Sequence, residues 1–143
     1  MARNRVDFSE VTTLRDNLQT QLNDEQIDLF MESCAKELTA RLLAKVKRRT
    51  PVGVYPDRTG GTLRRAWDAG IGDITKQGNM YTITLTNETE YASYVEFGHR
   101  TRNHKGWVKG QFMLTISEEE LKRDAPKVLE KKLKKMLEGC FGK

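Results

Sequence analysis

The sequence predicts an α+β fold in which a small antiparallel β-meander packs against two N-terminal helices and a long C-terminal helix, with long protruding loops. Apolar residues at helical spacing occupy both ends of the chain, alternating residues lie between them, and two polar segments containing glycine interrupt the pattern. The 143 residues are enough for one hydrophobic core. We therefore expect a single domain over residues 1–143, with extended loops at 50–61 and 98–111.

Two apolar stripes predict two helices before residue 50. The first stripe consists of Phe8, Val11, Leu14, Leu18 and Leu22. The second consists of Ile27, Phe30, Met31, Cys34, Leu38, Leu42 and Val46. The second predicts a helix of about six turns. Asn23 is expected to cap it, with Gln26 three residues on as in a capping box. Thr50-Pro51 is expected to end it, because the residue before a proline avoids the α region.

The middle of the chain predicts a β-hairpin followed by a short helix. Residues 81–85 alternate apolar side chains with threonine, which is typical of a strand. Residues 67–71 alternate less regularly and predict a weak strand, with a turn at 76–79 between the two. A short helix is expected over 91–97, closed by Gly98. The core against the helices is expected to contain Trp67, Tyr81, Ile83, Leu85, Tyr94, Val95 and Phe97.

The last predicted element is a long helix. Ser117 is followed by three glutamates, which is the form of a capping box and predicts that a helix begins or is renewed there. Apolar residues keep helical spacing from there to Gly139, a natural stop. Pro126 lies inside this pattern, so either the helix kinks there or two helices meet.

Composition and charge exclude several classes of protein. The net charge of +5 and pI near 9.3 favour solubility and weak attraction to polyanions. No apolar run approaches the ~20 residues of a membrane helix, and no apolar stretch follows the charged N-terminus, so neither a membrane partner nor a signal peptide is expected. Cys34 and Cys140 lack metal-like spacing and are expected to be reduced thiols in a cytoplasmic protein.

Catalytic and metal-binding interpretations find little support in the sequence. His99, Asn103 and His104 faintly resemble a His-Asn-His nuclease, but a divalent metal would also need carboxylates, and none occurs between Phe97 and Ile116. Ser93 lies near Glu96 and His99 without the elbow motif of a serine hydrolase. We therefore predict no catalytic, metal-binding or cofactor-binding residue.

Two other features have structural explanations that we prefer. Glu96 is a lone acid beside a basic segment and is expected to hold an arginine, either Arg64 or Arg100. The glycine-rich stretch 59–62 could present backbone N–H groups to an anion. It lacks the spacing and the lysine of a P-loop, so a flexible connector is the preferred interpretation.

The segment after Gly98 is strongly basic and contains one tryptophan. The residues of interest are Arg100, Arg102, His104, Lys105, Trp107 and Lys109. A solvated loop, a subunit contact and a sequence-independent contact with nucleic acid all fit this composition. A loop of this length in a small domain suggests a use.

Two stretches together resemble the neck, head–tail joining or minor tail component family of tailed phages and prophages. The first, KRRTPVGVYPDRTGGTLRRAW, carries the motif residues Thr50, Pro51, Thr59, Gly60, Leu63, Arg64 and Trp67. The second, YASYVEFGHRTR, carries Tyr91, Glu96, Phe97, Gly98 and Arg100. GQFML and a long final helix complete the order, and the resemblance covers roughly residues 25–138. The insertion between Pro51 and Thr59 departs from the family's pattern, so the resemblance does not predict the shape of this loop.

The resemblance implies a structural protein of virion assembly, without enzymatic activity or cofactor. It implies a homo-oligomeric ring, a hexamer by analogy, at the junction of head and tail, where DNA passes without being read in sequence. Its partners would be other neck, connector or tail-tube proteins, first in the host cytoplasm and then in the virion. A tail-completion or tail-terminator protein is the alternative within this class. A sequence-independent nucleic-acid-binding module using residues 99–109 is the alternative outside it.

Overall fold

The computed structural model describes residues 2–5 and 23–140. The helix predicted from Phe8 to Leu22 lies outside these residues. The described elements, in chain order, are β1 Ala2–Arg5, α1 Asp24–Arg49, α2 Thr62–Ala69, β2 Thr75–Gln77, β3 Met80–Thr82, β4 Thr84–Asn87, α3 Ala92–Phe97, β5 Gly98–Arg100, β6 Trp107–Lys109 and α4 Met113–Cys140. The α+β class with long helices at both ends is confirmed.

Helix α1 forms as its sequence predicts. Asn23 caps it, with Oδ1 accepting a hydrogen bond from the Gln26 backbone N–H at 2.8 Å. Every residue of the predicted apolar stripe from Ile27 to Val46 is buried. The helix ends at Thr50, which has an extended backbone, as expected before Pro51.

The strands form three separate antiparallel ribbons instead of one meander. β1 pairs with β4, β2 with β3, and β5 with β6. The strand predicted over 67–71 is wrong: Leu63 and Trp67, four residues apart, are both buried on one face of α2. Ile71 makes only an isolated bridge to Leu85. Strand β4, which contains Leu85, pairs instead with β1, a strand that the sequence did not indicate.

Helix α4 begins four residues before its predicted start. Ser117 is not a cap but is buried inside the helix, where its Oγ donates to the Met113 carbonyl at 2.5 Å. The helix continues through Pro126, so of the two alternatives for this proline, two separate helices are excluded. Lys45 of α1 joins α4 through Glu120 at 3.4 Å and Asp124 at 3.1 Å, and Arg49 also pairs with Glu120.

The predicted core is confirmed for Trp67 and for residues 81–85, and it is wrong for part of α3. Trp67, Tyr81, Ile83 and Leu85 are buried, and Val95 packs against this core while remaining partly exposed. Tyr94 and Phe97 are each 59% exposed. Helix α3 turns Ala92 and Glu96 inward instead, and these lie four residues apart on one face.

Among the described helices, none has the combined length and apolar character needed to cross a bilayer.

Candidate functional site

The first motif builds a rigid base for the loop at 51–61. Thr50 is buried, and its Oγ1 accepts a hydrogen bond from Trp67 Nε1 at 2.9 Å. Arg64 donates from Nη2 to the Thr50 carbonyl at 3.2 Å. Leu63 is also buried, and the Asn87 side chain donates to its carbonyl at 2.9 Å. These contacts fasten the end of α1 to α2 and β4, so both ends of the loop are held.

The loop itself projects into solvent from this base. Residues 51–59 are exposed, and Val54 is 95% exposed. The Arg58 guanidinium lies over the Tyr55 ring, 4.2 Å from its centroid. A side chain at Gly60 would place Cβ 1.8 Å from the Gly53 carbonyl oxygen, so the two arms of the loop can touch only with glycine there. The insertion after Pro51 therefore forms a folded protrusion that displays Val54 and Tyr55.

The two motifs, which are distant in the sequence, meet at a cleft of ≈ 440 Å³ beside this loop. Pro51, Thr59 and Leu63 line it from the first motif, and Tyr91 lines it from the second. The remaining walls come mainly from the loop and from Val95. The family motifs thus describe one region of the folded molecule.

Glu96, from the second motif, caps helix α4. Its carboxylate accepts hydrogen bonds from the backbone N–H of Leu114 at 2.8 Å and of Thr115 at 3.3 Å. The positive end of a helix dipole suits this negative group. Burial raises the pKa of Glu96, while the two backbone hydrogen bonds oppose that rise. The expectation that Glu96 holds Arg64 or Arg100 is wrong; its role is structural, but its partners are backbone groups.

The segment expected to be an extended loop at 98–111 is a β-hairpin. Gly98 pairs with Lys109 and Arg100 with Trp107. Gly98 has φ of +90°, and a Cβ there would lie 2.5 Å from the Val108 carbonyl oxygen. At the tip, Asn103 Oδ1 accepts from the Lys105 N–H at 3.0 Å and from the Thr101 hydroxyl at 2.7 Å. The basic residues are therefore carried on an ordered ribbon.

The hairpin displays its cations to solvent. Arg100, Arg102, Lys105 and Lys109 are exposed, and none of them forms an ion pair with a described residue. His104, with φ of +59°, is exposed at the tip. A shallow groove of ≈ 560 Å³ is lined by Tyr94, Gly98, His99, Arg100, Thr101, Arg102, His104 and Trp107. The groove is positively charged because Arg100 and Arg102 line it and no acidic residue does.

The histidines do not form a metal centre in the described part of the chain. No group of three or more His, Cys, Asp or Glu side chains there is placed to hold a metal ion. His99 is partly buried, and its ring lies 5.8 Å from the ring of Tyr94. The two histidines share the groove with arginines and aromatic rings, which are not ligands for a divalent metal.

An exposed aromatic surface adjoins the basic hairpin and was missed in the sequence. Tyr94 and Phe97 on α3 are each 59% exposed, and Tyr91, immediately before the helix, is 44% exposed. Trp107 on β6 is 63% exposed and Val108 is 43% exposed. We call these five exposed residues, of which Tyr94 and Trp107 line the same groove, the aromatic surface. The spacing of Tyr91, Tyr94 and Phe97, every third residue, was the available signal in the sequence. Apolar residues occur on both faces of this short helix, so the spacing alone could not show which face meets the core.

One protein family matches this chain when its sequence is compared with family profiles. The family is described as "Bacteriophage HK97-gp10, putative tail-component", and the match covers residues 12–98. The matched region contains the whole first motif and ends at Gly98, where the hairpin begins. No curated protein and no solved structure gave a match.

Proposed function

The chain belongs to the HK97-gp10-like family of phage tail components, and from this we propose that it forms a ring at the head–tail junction of a phage or prophage, through which DNA passes. It would assemble in the host cytoplasm and remain at that junction in the virion. Its partners would be copies of itself, six by family analogy, and other neck, connector or tail-tube proteins. A structural role of this kind requires no catalytic group or cofactor.

The aromatic surface beside the basic hairpin is the observation that supports a ring most directly. Trp, Tyr and Arg are the residues that most often dominate protein interfaces, because they bury large areas and hydrogen-bond as well. Here Trp107, Tyr94 and Arg100 line one groove, and all three side chains are exposed. Exposed aromatic side chains that share one groove, as Tyr94 and Trp107 do, favour a protein contact over a solvated loop. We infer that the hairpin and the aromatic surface contact another subunit.

A closed ring needs a second and different contact surface on each subunit, since its interfaces are heterologous. The loop at 51–61 supplies a candidate, because Val54 and Tyr55 are exposed on a base that is held at both ends. We propose that this loop contacts either the neighbouring subunit or the axial partner. The side chains at its base, Thr50, Leu63 and Arg64, would act by holding its position.

A tail-completion or tail-terminator protein is the second candidate. The family's own description places it among tail components, which favours a position on the tail side of the junction. Such a protein would cap the tail tube before the head joins. The two candidates differ in the partner that binds first, so binding to purified tail-tube protein without a connector would favour the terminator.

A nucleic-acid-binding module is the candidate from a different class. The unpaired cations of the hairpin support it, because they could contact phosphates while Trp107 stacks on a base. Such a module would bind single-stranded DNA as a monomer, and its affinity would fall steeply with salt.

We would test the ring by measuring molar mass with light scattering across protein concentration, alone and with tail-tube protein. A shortened variant would replace residues 101–106 with Asn-Gly. Arg100 and Trp107 are directly paired, so a two-residue turn can close the hairpin while keeping both strands. Trp107→Ala and Leu29→Ala form a matched pair, because these side chains are 63% and 61% exposed and Leu29 lies outside the aromatic surface.

The expected result is a ring-sized species for the wild-type chain and for Leu29→Ala. The shortened hairpin and Trp107→Ala should shift the mass toward the monomer. A wild-type chain that stays monomeric under every condition, and that binds single-stranded DNA at low salt, would instead favour the nucleic-acid module. Equal effects of the two alanine substitutions would argue against a contact centred on the aromatic surface.

A further inference from the structure

A second basic region lies in the groove between α1 and the C-terminal half of α4. Its volume is ≈ 380 Å³. The residues lining it are Glu37, Arg41, Lys127, Val128, Lys131, Lys132 and Lys135. Five cations therefore surround a single carboxylate. Val128 is the only apolar side chain in this lining.

The lysines of the groove are not neutralised by neighbouring acids in the described chain. The single carboxylate, Glu37, pairs with Arg41 at 3.0 Å, four residues along α1. No ion pair among the described residues involves Lys127, Lys131, Lys132 or Lys135. Three of these lysines are exposed and Lys132 is half-buried. The charge of four lysines is thus available to an external anion.

The composition of the groove differs from that of the hairpin in a way that separates their partners. Lysine is depleted at protein interfaces and arginine is enriched, because lysine loses a tightly held hydration shell and much side-chain freedom when it is buried. The groove contains four lysines and no aromatic ring, whereas the hairpin combines Arg100 and Arg102 with Trp107. Lysine can satisfy a phosphate as a hydrated point charge without being buried.

The spacing of the lysines also suits a continuous line of phosphates. Lys127, Lys131 and Lys135 lie four residues apart on one face of α4. They span about 12 Å along the helix axis, a distance over which duplex DNA carries roughly seven phosphate charges. The lysines sit on a helix whose apolar residues pack against the core, so their backbone positions are fixed without a ligand.

We propose that this lysine groove binds the phosphate backbone of duplex DNA, while the hairpin contacts protein. The inference rests on the proposed function, since a ring that passes DNA needs a surface for it. Four lysines on two turns of a helix give weak contacts that each break easily, and no aromatic ring is present to stack on a base. The surface therefore attracts DNA without reading or arresting it.

The test measures binding of the purified full-length chain to a fluorescent 30-base-pair duplex by anisotropy, between 20 and 200 mM salt. One variant carries Lys→Gln at the four groove lysines, a second carries Lys→Arg at the same positions, and a third carries Arg→Gln at Arg100 and Arg102 with Lys→Gln at Lys105 and Lys109. The first and third variants lose the same charge, so net charge alone cannot distinguish them.

We expect the groove Lys→Gln variant to lower the slope of log affinity against log salt by about 3 to 4, at ~0.9 per phosphate contact. The Lys→Arg variant should keep the wild-type slope, and the hairpin variant should change it by less than about 1. Circular dichroism and light scattering on each variant check the fold and the oligomer.

The proposal would be overturned if the hairpin variant lost the slope of log affinity against log salt while the groove Lys→Gln variant kept it. It would also be overturned if the wild-type chain did not bind the duplex at 20 mM salt. Neither outcome decides the ring, because light scattering reports it independently. A chain that binds DNA through the groove but remains monomeric would support the DNA-binding proposal and contradict the proposed ring.

Discussion

At the scale of single residues, buried polar side chains hold the elements of this molecule in place. Glu96, Thr50, Asn87 and Ser117 are all buried, and each has a backbone or side-chain hydrogen-bond partner. A buried polar group that loses its partner cannot turn to water, so its loss costs more than the bond contributed. Substitutions at these positions should therefore act on stability first.

Removing the carboxylate of Glu96 should destabilise the protein. Glu96→Ala leaves the N–H groups of Leu114 and Thr115 without their acceptor, at a cost of about 1–3 kcal/mol in the free energy of unfolding. Glu96→Gln keeps one acceptor oxygen and should cost less. Urea denaturation of the three proteins at one pH measures both differences. Equal stability of Glu96→Ala and the wild type would show that the cap contributes nothing.

The same site should give a pH-dependent difference between the wild type and Glu96→Gln. Burial raises the pKa of Glu96 above its ordinary value, so the folded state holds this proton more tightly than the unfolded state does. The stability from protonated Glu96 is present below the unfolded pKa and is lost as pH rises through the folded pKa. As pH rises through that range, the free energy of unfolding of the wild type should therefore fall relative to that of Glu96→Gln. A difference that is constant with pH would contradict the raised pKa.

Thr50 should matter through its hydroxyl. Thr50→Val preserves the shape but leaves the buried Trp67 N–H without an acceptor, which should cost about 1–3 kcal/mol. Thr50→Ser keeps the hydroxyl and removes one methyl group, at about 0.8 kcal/mol. Chemical denaturation followed by tryptophan fluorescence compares them. If serine costs more than valine, packing and not the hydrogen bond to Trp67 decides this position.

Cys34 should be unreactive in the folded protein. Its side chain is 1% exposed, and burial raises the pKa of the thiol to about 11. Reaction with a disulfide reagent at neutral pH should be slow in buffer and fast in denaturant, because only the thiolate attacks. A Cys140→Ser background assigns the signal to Cys34. Rapid reaction under native conditions would mean that this part of α1 opens easily.

At the scale of elements, the hairpin β5–β6 depends on a backbone conformation that only glycine adopts easily. Gly98 combines φ of +90° with ψ of 173° and a close approach to the Val108 carbonyl. This turns the chain from α3 straight into β5 with no connecting residue. The direction in which the hairpin projects is therefore set at Gly98.

Gly98→Ala should destabilise the protein more than Gly78→Ala. Both glycines have positive φ, but nothing lies within 4 Å of a Cβ at Gly78, whereas a Cβ at Gly98 meets Val108 at 2.5 Å. Gly78→Ala should cost about 1 kcal/mol and Gly98→Ala about 3 kcal/mol or more. Thermal unfolding measures both changes, and proteolysis at the tip reports on the hairpin. Similar costs at the two positions would show that the hairpin adjusts freely.

The long helices and the strand region at 81–85 could be predicted from the sequence because their patterns are local. Helix α1 carries its cap, its apolar stripe and its stop within one stretch, and all three are confirmed. Trp67 was assigned to a strand because it alternates with Ala69 and Ile71. In the fold its four-residue spacing from Leu63 places both side chains on one face of α2 instead. The Glu96 cap and the β1–β4 pairing join residues that are distant in the chain, and neither leaves a local pattern.

The same limit applies to the candidate surfaces. The cations of the hairpin were evident from composition, whereas the exposure of Tyr94 and Phe97 depends on which face of α3 meets the core. The lysine groove was hidden because its lysines alternate with apolar residues along α4 and are completed by Arg41 from another helix. Surfaces formed by two elements appear only once those elements are packed.

At the scale of the whole molecule, the aromatic surface and the lysine groove differ in the interaction they can support. The aromatic surface would associate mainly by removing apolar area from water, an effect that salt does not weaken. The lysine groove would act through charge alone, which salt screens. Assembly and DNA binding should therefore separate when ionic strength is changed.

Raising salt from 50 to 500 mM should leave the mass of the proposed ring unchanged while releasing duplex DNA from the lysine groove. At 500 mM the Debye length falls to roughly 4 Å, shorter than the reach of an unburied charge contact. Light scattering and anisotropy on the same sample follow the two properties. Dissociation of the oligomer over this range would assign the subunit contact to charge instead of the aromatic surface.

The pairing of β1 with β4 has a consequence for how the protein is made. Ala2 lies beside Asn87, and Arg5 beside Thr84, so the first strand leaves the ribosome well before its partner exists. At ~5–20 residues per second, the wait lasts roughly 4 to 17 s. During that interval β1 offers unpaired backbone groups to any nascent neighbour, including the same strand on an adjacent ribosome. Translation speed between β1 and β4 could thus influence the yield of correctly paired subunits.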